Sequence, residues 1–177
     1  KAGFEKIKQV IDLALSANLS NLTMYTLSSE NINRNSINII FEIIYNNFSD
    51  MINQLIKQKK VKINIFGSRE NLPIKIIEIL KDAERMTVNN SKMNLNLAFN
   101  YGFKNEIKNV LKKYKENFKK INLEDQNEVR KLFYLGSISD PDILIRTGGY
   151  KRLSNFIMYN LTYTELFFTE TLWPDFN

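Results

Sequence analysis

Arg146, Arg152 and Ser154 bracket a pair of glycines in DILIRTGGYKRLSNF, residues 142–156. Gly148 and Gly149 permit close backbone approach and positive φ, and a helix following them would aim free N–H groups at an anion. Two guanidiniums can grip phosphate oxygens through forked, charge-assisted bonds, and the Ser154 hydroxyl can donate another. The same residues also suit an ordinary solvated turn flanked by cations. One Gly-Gly pair is neither a Walker loop nor a dinucleotide fingerprint, so spacing alone leaves both readings open.

Two further groups have chemistry to offer. In SSENINR, residues 28–34, Ser28, Asn31 and Arg34 supply a hydroxyl, an amide and a guanidinium, or else a polar loop that caps a helix starting near Ser36. Glu165 sits inside the apolar run LTYTELFF. A buried unpaired carboxylate there would be costly, so either a metal ion or an Arg partner relieves it, or the position is an exposed edge.

The inventory of 177 residues contains no Cys and no His. Disulfides, thiol nucleophiles, Ser–His–Asp triads and the usual zinc sites are thereby excluded. Any metal must be a hard cation on carboxylate and phosphate oxygens, magnesium first. Acid–base work falls to carboxylates, amides with water, Tyr or Lys. A formal charge of +6 suits an anionic small molecule, a nucleic acid or an anionic membrane surface, without choosing among them. Hydrophobic content of 44% with 25% charged residues is that of a globular chain, and no apolar run reaches the ~18–20 residues of a membrane span. No signal-peptide pattern is present; since the sequence opens without Met, that carries little weight.

The elements that must position these residues alternate. Helical spacing covers 3–18, a long stretch from Ser36 to about Lys59, 73–89 with Pro73 at its start, and about 104–119. Strand patterns cover 22–28, 61–67, 93–102 and the apolar run 140–147, which reads as buried; NFIMYNLTYTELFF reads as helical at first and β-prone at its end. Strands separated by helices imply right-handed crossovers and a mainly parallel central sheet with helices on both faces. The expected fold is a single α/β domain over 1–177. In such sheets ligands bind beyond the carboxyl ends of the strands, which makes 28–34 and 146–152 candidates for one crevice, with Asn100 and Tyr101 on the same side. The apolar INIIFEIIYNNF suits either a filled core or the lining of an elongated cavity.

LTMYTLSSENINR, NLNLAFNYG, DPDILIRTGG, RLSNF and YTELFFTETLWPDF, in this order and spacing, resemble the cis-prenyltransferases, the undecaprenyl and polyprenyl diphosphate synthases, over essentially the whole chain. The resemblance implies a magnesium-dependent enzyme that elongates an allylic diphosphate, such as farnesyl diphosphate, with isopentenyl diphosphate. It forms cis double bonds and grows a long polyprenyl diphosphate, a precursor of glycosyl carrier lipid, into a hydrophobic tunnel. It further implies that Arg146, Arg152 and Ser154 hold isopentenyl diphosphate, Glu165 ligates magnesium, Ser28 and Asn31 assist proton removal, and Arg34 meets the allylic diphosphate. A homodimer is implied, with the aromatic ELFFTETLW as its expected surface. So is a cytoplasmic enzyme touching a membrane through its lipid product, at the endoplasmic reticulum if eukaryotic.

Four departures accompany the resemblance. The family's Asp-Gly-Asn-Gly-Arg loop, which carries the catalytic Asp and cradles the allylic diphosphate, would lie upstream of KAGF, so this sequence is expected to lack its N-terminal phosphate-binding loop. Tyr150 stands where the family usually has Glu, with Gly148 in place of Ser; Ile32 replaces a Trp; Phe103 replaces a Gly. Two rivals differ in class. A non-catalytic partner subunit of such an enzyme would tend to lose the metal and diphosphate residues. A basic nucleic-acid-binding domain would spread cations and aromatics along one face.

Overall fold

Val61, Ile63 and Ile65 alternate with polar neighbours, and so do Met93, Leu95, Leu97 and Phe99; these two patterns build the sheet on which the first part of the molecule rests. In the structure, a computed structural model that describes residues 2–35 and 37–177, they form β2 (Val61–Phe66) and β3 (Met93–Tyr101), paired in parallel from Val61 opposite Met93 to Phe66 opposite Ala98. β1 (Asn21–Ser28) adds to the other side of β3, giving the order β1-β3-β2. The Asn94 N–H donates to the Ser20 carbonyl (2.9 Å) and the Thr26 hydroxyl to the Ala98 carbonyl (2.7 Å), so both strands advance in the same direction.

The chain divides into two compact units, one running through Asn100 and taking in Trp173–Asn177, the other Tyr101–Leu172. In the first unit, α1 (Ala2–Ser16), α2 (Ile37–Gln58) and α3 (Ile74–Thr87) pack on the sheet. Phe41, Ile44, Phe48, Met51, Ile52 and Leu55 of α2 recur at helical spacing and are buried with Ile76 and Leu80 of α3 and Met93, Leu95, Leu97 and Phe99 of β3. Each such side chain, removed from water, contributes about 1.5–3 kcal/mol. Ile39 and Ile43 of α2 remain exposed. Pro73 stands directly before α3, where its missing N–H costs no helical bond. The helix pattern expected from Ser36 begins at Ile37; Ser36 itself, with the capping expected there, lies outside the described residues.

On the even-numbered face of β3, Asn96 and Asn100 are buried and Asn94 is half-buried. Asn64 donates to Asn96 (2.9 Å), Asn96 to Thr23 (3.4 Å) and Asn94 to Asn21 (3.1 Å), a side-chain ladder across the three strands. Those partners satisfy amides that would otherwise be costly to bury. The C-terminal residues close on α1: the Trp173 indole N–H donates to the Gly3 carbonyl (3.0 Å), and the ring packs against the core.

The second unit holds α4 (Phe103–Asn117), α5 (Gln126–Lys131), β4 (Ile143–Arg146) and β5 (Glu165–Phe168), the two strands forming a parallel pair of their own. α4 packs Phe103, Ile107, Val110 and Tyr114 on Leu132 and Phe133. A parallel sheet flanked by helices is therefore present, as the sequence patterns predict. Three expectations change. The strand before Arg146 is not buried, since Ile143 and Ile145 are 56% and 53% exposed. No helix follows the glycine turn or starts at Asn155, because Ser154 (φ 49°), Asn155 (φ 64°) and Ile157 (φ 28°) take left-handed backbone angles that break it, leaving one 3-10 turn at Met158–Leu161. The short α5, capped by Asp125 accepting from the Asn127 N–H, has no counterpart in the sequence reading. Among the described residues no helix is long and apolar enough to cross a membrane.

Gly67 ends β2 at φ 122°, and a Cβ built there would lie 2.0 Å from the Phe99 carbonyl oxygen. Gly67→Ala is expected to lower unfolding stability by about 1–3 kcal/mol, measured by denaturant titration; an unchanged midpoint would refute the close approach of β2 and β3 at this turn.

Candidate active site

The glycine turn is shaped by hydrogen bonds from its own backbone. The Thr169 N–H donates to the Arg146 carbonyl (3.0 Å), and the N–H groups of Gly148 and Gly149 donate to the carbonyls of Thr171 and Thr169 (2.9 Å each). Both glycines have positive φ, 88° and 79°, which only a residue without Cβ adopts freely. Their N–H groups are thus committed, and the donors left to meet an anion here are those of side chains.

Those side chains converge. A guanidinium nitrogen of Arg146 donates to the Ser154 hydroxyl (2.7 Å) and to the Arg152 carbonyl. The Tyr150 ring lies against both cations, 4.5 Å from the Arg152 guanidinium carbon and 5.9 Å from that of Arg146. A ring face attracts a guanidinium without neutralising it. Two positive charges are held near each other with their forked donors partly free, on a surface where Arg152, Ser154 and Tyr150 are all exposed. The structure therefore brings together Arg146, Arg152 and Ser154, and adds Tyr150 to them. Asn155 fixes the segment by accepting the Lys104 N–H on its side-chain oxygen (2.9 Å) and the Phe103 N–H on its carbonyl (2.8 Å), at the start of α4.

Glu165 is placed differently. It opens β5 opposite Ile143, whereas Arg146 closes β4 opposite Phe168. Three residues of strand separate the two levels, about 10 Å, and by the alternation of the pleat they point to opposite faces. Glu165 is exposed, and its side chain has no ion pair among the described residues, so the edge reading replaces the buried one. An exposed, unpaired carboxylate is a suitable hard oxygen donor. Magnesium commonly takes one or two carboxylates and completes its shell with water and substrate phosphates. No group of three or more carboxylates converges among the described residues.

Ser28, Asn31 and Arg34 belong to the first unit, where β1 ends. The Asn31 N–H donates to the Ser28 hydroxyl oxygen (3.3 Å), opening a single 3-10 turn, Asn31–Asn33. Arg34 follows this turn with an exposed side chain and no ion pair among the described residues. Tyr25 is hydrogen-bonded to Ser28; burial, then the neighbouring Glu30 charge, pushes its phenol up to about 12, so it stays protonated. Ile32 packs against the core.

A clamp that the sequence patterns did not reveal holds the segment leading into β4. Arg130 of α5 binds both carboxylate oxygens of Asp140 (2.8 Å each) and the carbonyls of Gly136 and Ile138, and Asn160 donates to Asp140 (2.9 Å). Ten residues separate the Arg and Asp, a spacing with no periodic signature.

Comparison with known proteins agrees with this architecture. The undecaprenyl diphosphate synthase family model matches residues 1–177. A tritrans,polycis-undecaprenyl-diphosphate synthase (geranylgeranyl-diphosphate specific) from Sulfurisphaera tokodaii is 35% identical over 99% of this chain and 70% of its own length. A ditrans,polycis-undecaprenyl-diphosphate synthase ((2E,6E)-farnesyl-diphosphate specific) from Wigglesworthia glossinidia brevipalpis is 36% identical over 100% of this chain and 70% of its own. The crystal structure of a probable undecaprenyl diphosphate synthase from Campylobacter jejuni superposes with a TM-score of 0.87 at 29% identity, covering 99% of this chain and 83% of that one. The chain belongs to the undecaprenyl diphosphate synthase family and is a prenyl transferase.

The clamp yields a pH prediction. Burial alone would raise Asp140, but the hydrogen bonds from Arg130 and Asn160 and the Arg130 charge hold it below the ordinary carboxylate value. A folded value below the unfolded one contributes stability above the unfolded pKa of about 3.9 and loses it as pH falls through the folded value. Asp140→Asn should therefore be less stable than the parent near pH 6, by about 1–2 kcal/mol for a partly exposed charged pair. Below about pH 4 the two melting temperatures should converge; parallel curves would remove the linkage.

Proposed function

We propose that the chain condenses an allylic diphosphate with isopentenyl diphosphate, forming cis double bonds and a long polyprenyl diphosphate that serves as precursor of glycosyl carrier lipid. The observation that carries the reading is the paired guanidiniums of Arg146 and Arg152, held around Tyr150 with Ser154 in contact. This is an anion site built from permanent cations in a protein without His or Cys. The related synthases from Sulfurisphaera and Wigglesworthia act on geranylgeranyl and farnesyl diphosphate, which supports an allylic diphosphate as the first substrate, farnesyl diphosphate in our reading.

Isopentenyl diphosphate would enter with its phosphates on Arg146, Arg152 and the Ser154 hydroxyl, which orient it and offset its charge. The terminal alkene carbon then bonds the allylic carbon. The allylic C–O bond breaks with its electron pair leaving on diphosphate, and one proton is lost. Arg34 is assigned to the leaving diphosphate; Ser28 and Asn31, joined by their hydrogen bond, are assigned to the proton's removal. Glu165 would hold magnesium, which when bound supplies charge stabilisation to the diphosphate oxygens. Residues 1–177 act in this reading as one catalytic domain. Elongating product would be sheltered from water beside the apolar α2 helix.

Dimerisation is proposed through the β4–β5 pair rather than the whole of ELFFTETLW, since Trp173 is packed on α1. Ile143, Ile145 and Phe167 share one face of that pair and all three are exposed; Glu165, opposite Ile143, ends the same face, so a second copy would cover the three apolar residues and leave Glu165 at its rim. The enzyme would work in the cytoplasm, against the membrane that receives its product.

The test is incorporation of labelled isopentenyl diphosphate by the full protein with farnesyl diphosphate and magnesium. Arg152→Ala should lower incorporation at least tenfold, Tyr150→Phe should retain the parent KM for isopentenyl diphosphate, and Tyr150→Ala should raise it severalfold, since removing one cation–π contact costs about 1 kcal/mol. Equal incorporation by Arg152→Ala would refute the site, and none by the parent would refute the reaction.

A further inference from the structure

α4 and the turn that follows it, residues 103–120, hold seven lysines against two glutamates, a net +5 in a chain whose formal charge is +6. This is not the background of a lysine-rich composition. α1 and α3 balance their charges, and α2 carries one lysine against two acids. Most of the net charge of the molecule is carried by this helix and its following turn.

It is also on one side of that helix. Lys104, Lys108, Lys112 and Lys115 follow at intervals of four, four and three, so at 3.6 residues per turn they fall within an arc of about 80°. Lys119 extends the row into the following turn, and all five are exposed. Leu111 and Phe118, 62% and 56% exposed, border the same arc one heptad apart, with the Lys119 ammonium 5.9 Å from the Phe118 ring. The opposite side is fully occupied. Glu106 is buried, accepting from the Tyr101 hydroxyl and the Tyr134 N–H, and Val110 packs with Leu132 and Phe133. Lys113 turns inward to the Leu132 carbonyl (2.8 Å). The free face is therefore a lysine row edged by two large apolar side chains, with Glu116 the one acidic residue on the exposed part of the helix.

We propose that this face docks the enzyme on an anionic lipid surface, the lysine row meeting acidic headgroups while Leu111 and Phe118 enter the interface. The charges are complementary to such a surface, and the apolar edge gives them depth in it, the pattern of an interfacial amphipathic helix. Double-stranded nucleic acid fits less well. The helix has no arginine, and its exposed apolar residues would be left in water beside a phosphate backbone. The proposal deepens the reading of a lipid-making enzyme, because it names where the protein would sit while its product leaves for the bilayer, but its evidence is the helix itself.

Flotation of the full protein with vesicles is the test. The parent should bind vesicles of phosphatidylcholine with about a third phosphatidylglycerol at low salt, ignore pure phosphatidylcholine, and detach in high salt. Lys108→Glu/Lys112→Glu/Lys115→Glu should lower the bound fraction at least tenfold, since each lysine near an anionic surface counts for about fivefold in partition. Lys57→Glu/Lys60→Glu/Lys81→Glu, with the same net charge placed elsewhere, should bind as the parent does. Absence of binding by the parent, equal loss in both triple variants, or a salt-sensitive shift of an RNA duplex without flotation would each overturn the proposal. Prenyl transfer measured in detergent separates this from the proposed function. The α4 variant should retain it, and an inactive parent that still floats would refute the reaction while leaving the surface intact.

Discussion

The bidentate pair of Arg130 and Asp140 is the constraint on which the second unit turns. β4 and β5 are only four residues each and bury little, so apolar packing cannot fix them. Polar contacts do it instead. Arg130 gathers the Gly136 and Ile138 carbonyls and the Asp140 carboxylate, and Asn160 ties the same carboxylate to the 3-10 turn just before β5. From that anchor the Asp142 carbonyl receives the Glu165 N–H and the Arg146 carbonyl receives the Thr169 N–H, which sets the register of the pair. The position of each candidate residue in this unit follows from the register: Arg146 at one end, Glu165 at the other.

Commitment of the Gly148 and Gly149 N–H groups has a chemical consequence. A phosphate loop that works through backbone donors needs those donors free. Here they hold the turn, and the donors left beside it belong to cationic side chains ordered by a ring and a hydroxyl. Arginine suits this arrangement because it stays charged at any working pH and lies flat on an aromatic face.

The parts of the fold legible in the sequence are those whose signal is long and periodic. α2, α3, α4, β2 and β3 each keep a periodic apolar face for two or more turns or five or more residues, so the pattern of side chains reports the element to within about two residues. The short elements are where pattern and structure part. ILIR is apolar enough to imply burial, yet a run of four residues does not say whether anything covers it. NFIMYNL carries a helical spacing that the positive φ of Ser154, Asn155 and Ile157 overrides. Arg146, Arg152 and Ser154 were readable as a group because they are close in the chain. The Arg130–Asp140 clamp was not, because its partners meet only after the loop between them has folded.

The departures from the family pattern can be weighed in the same terms. Phe103, standing where a glycine is usual, is the first residue of α4; its ring stacks in parallel on Phe133 at 6.5 Å, and its N–H is taken by Asn155. Ile32, in place of a Trp, is partly buried against the main core rather than projecting as a loose loop residue. Tyr150, in place of a Glu, removes a carboxylate that would pair with Arg146 or Arg152 and substitutes a ring that orders both. Phe103 adds a ring at the start of α4, Ile32 is smaller than the Trp it replaces yet still packs on the core, and Tyr150 raises the net positive charge around Arg146 and Arg152 by one. None requires a guanidinium to move. If the site holds a diphosphate as proposed, the carboxylate that Tyr150 removes no longer competes for Arg146 and Arg152, which favours tighter binding and slower release.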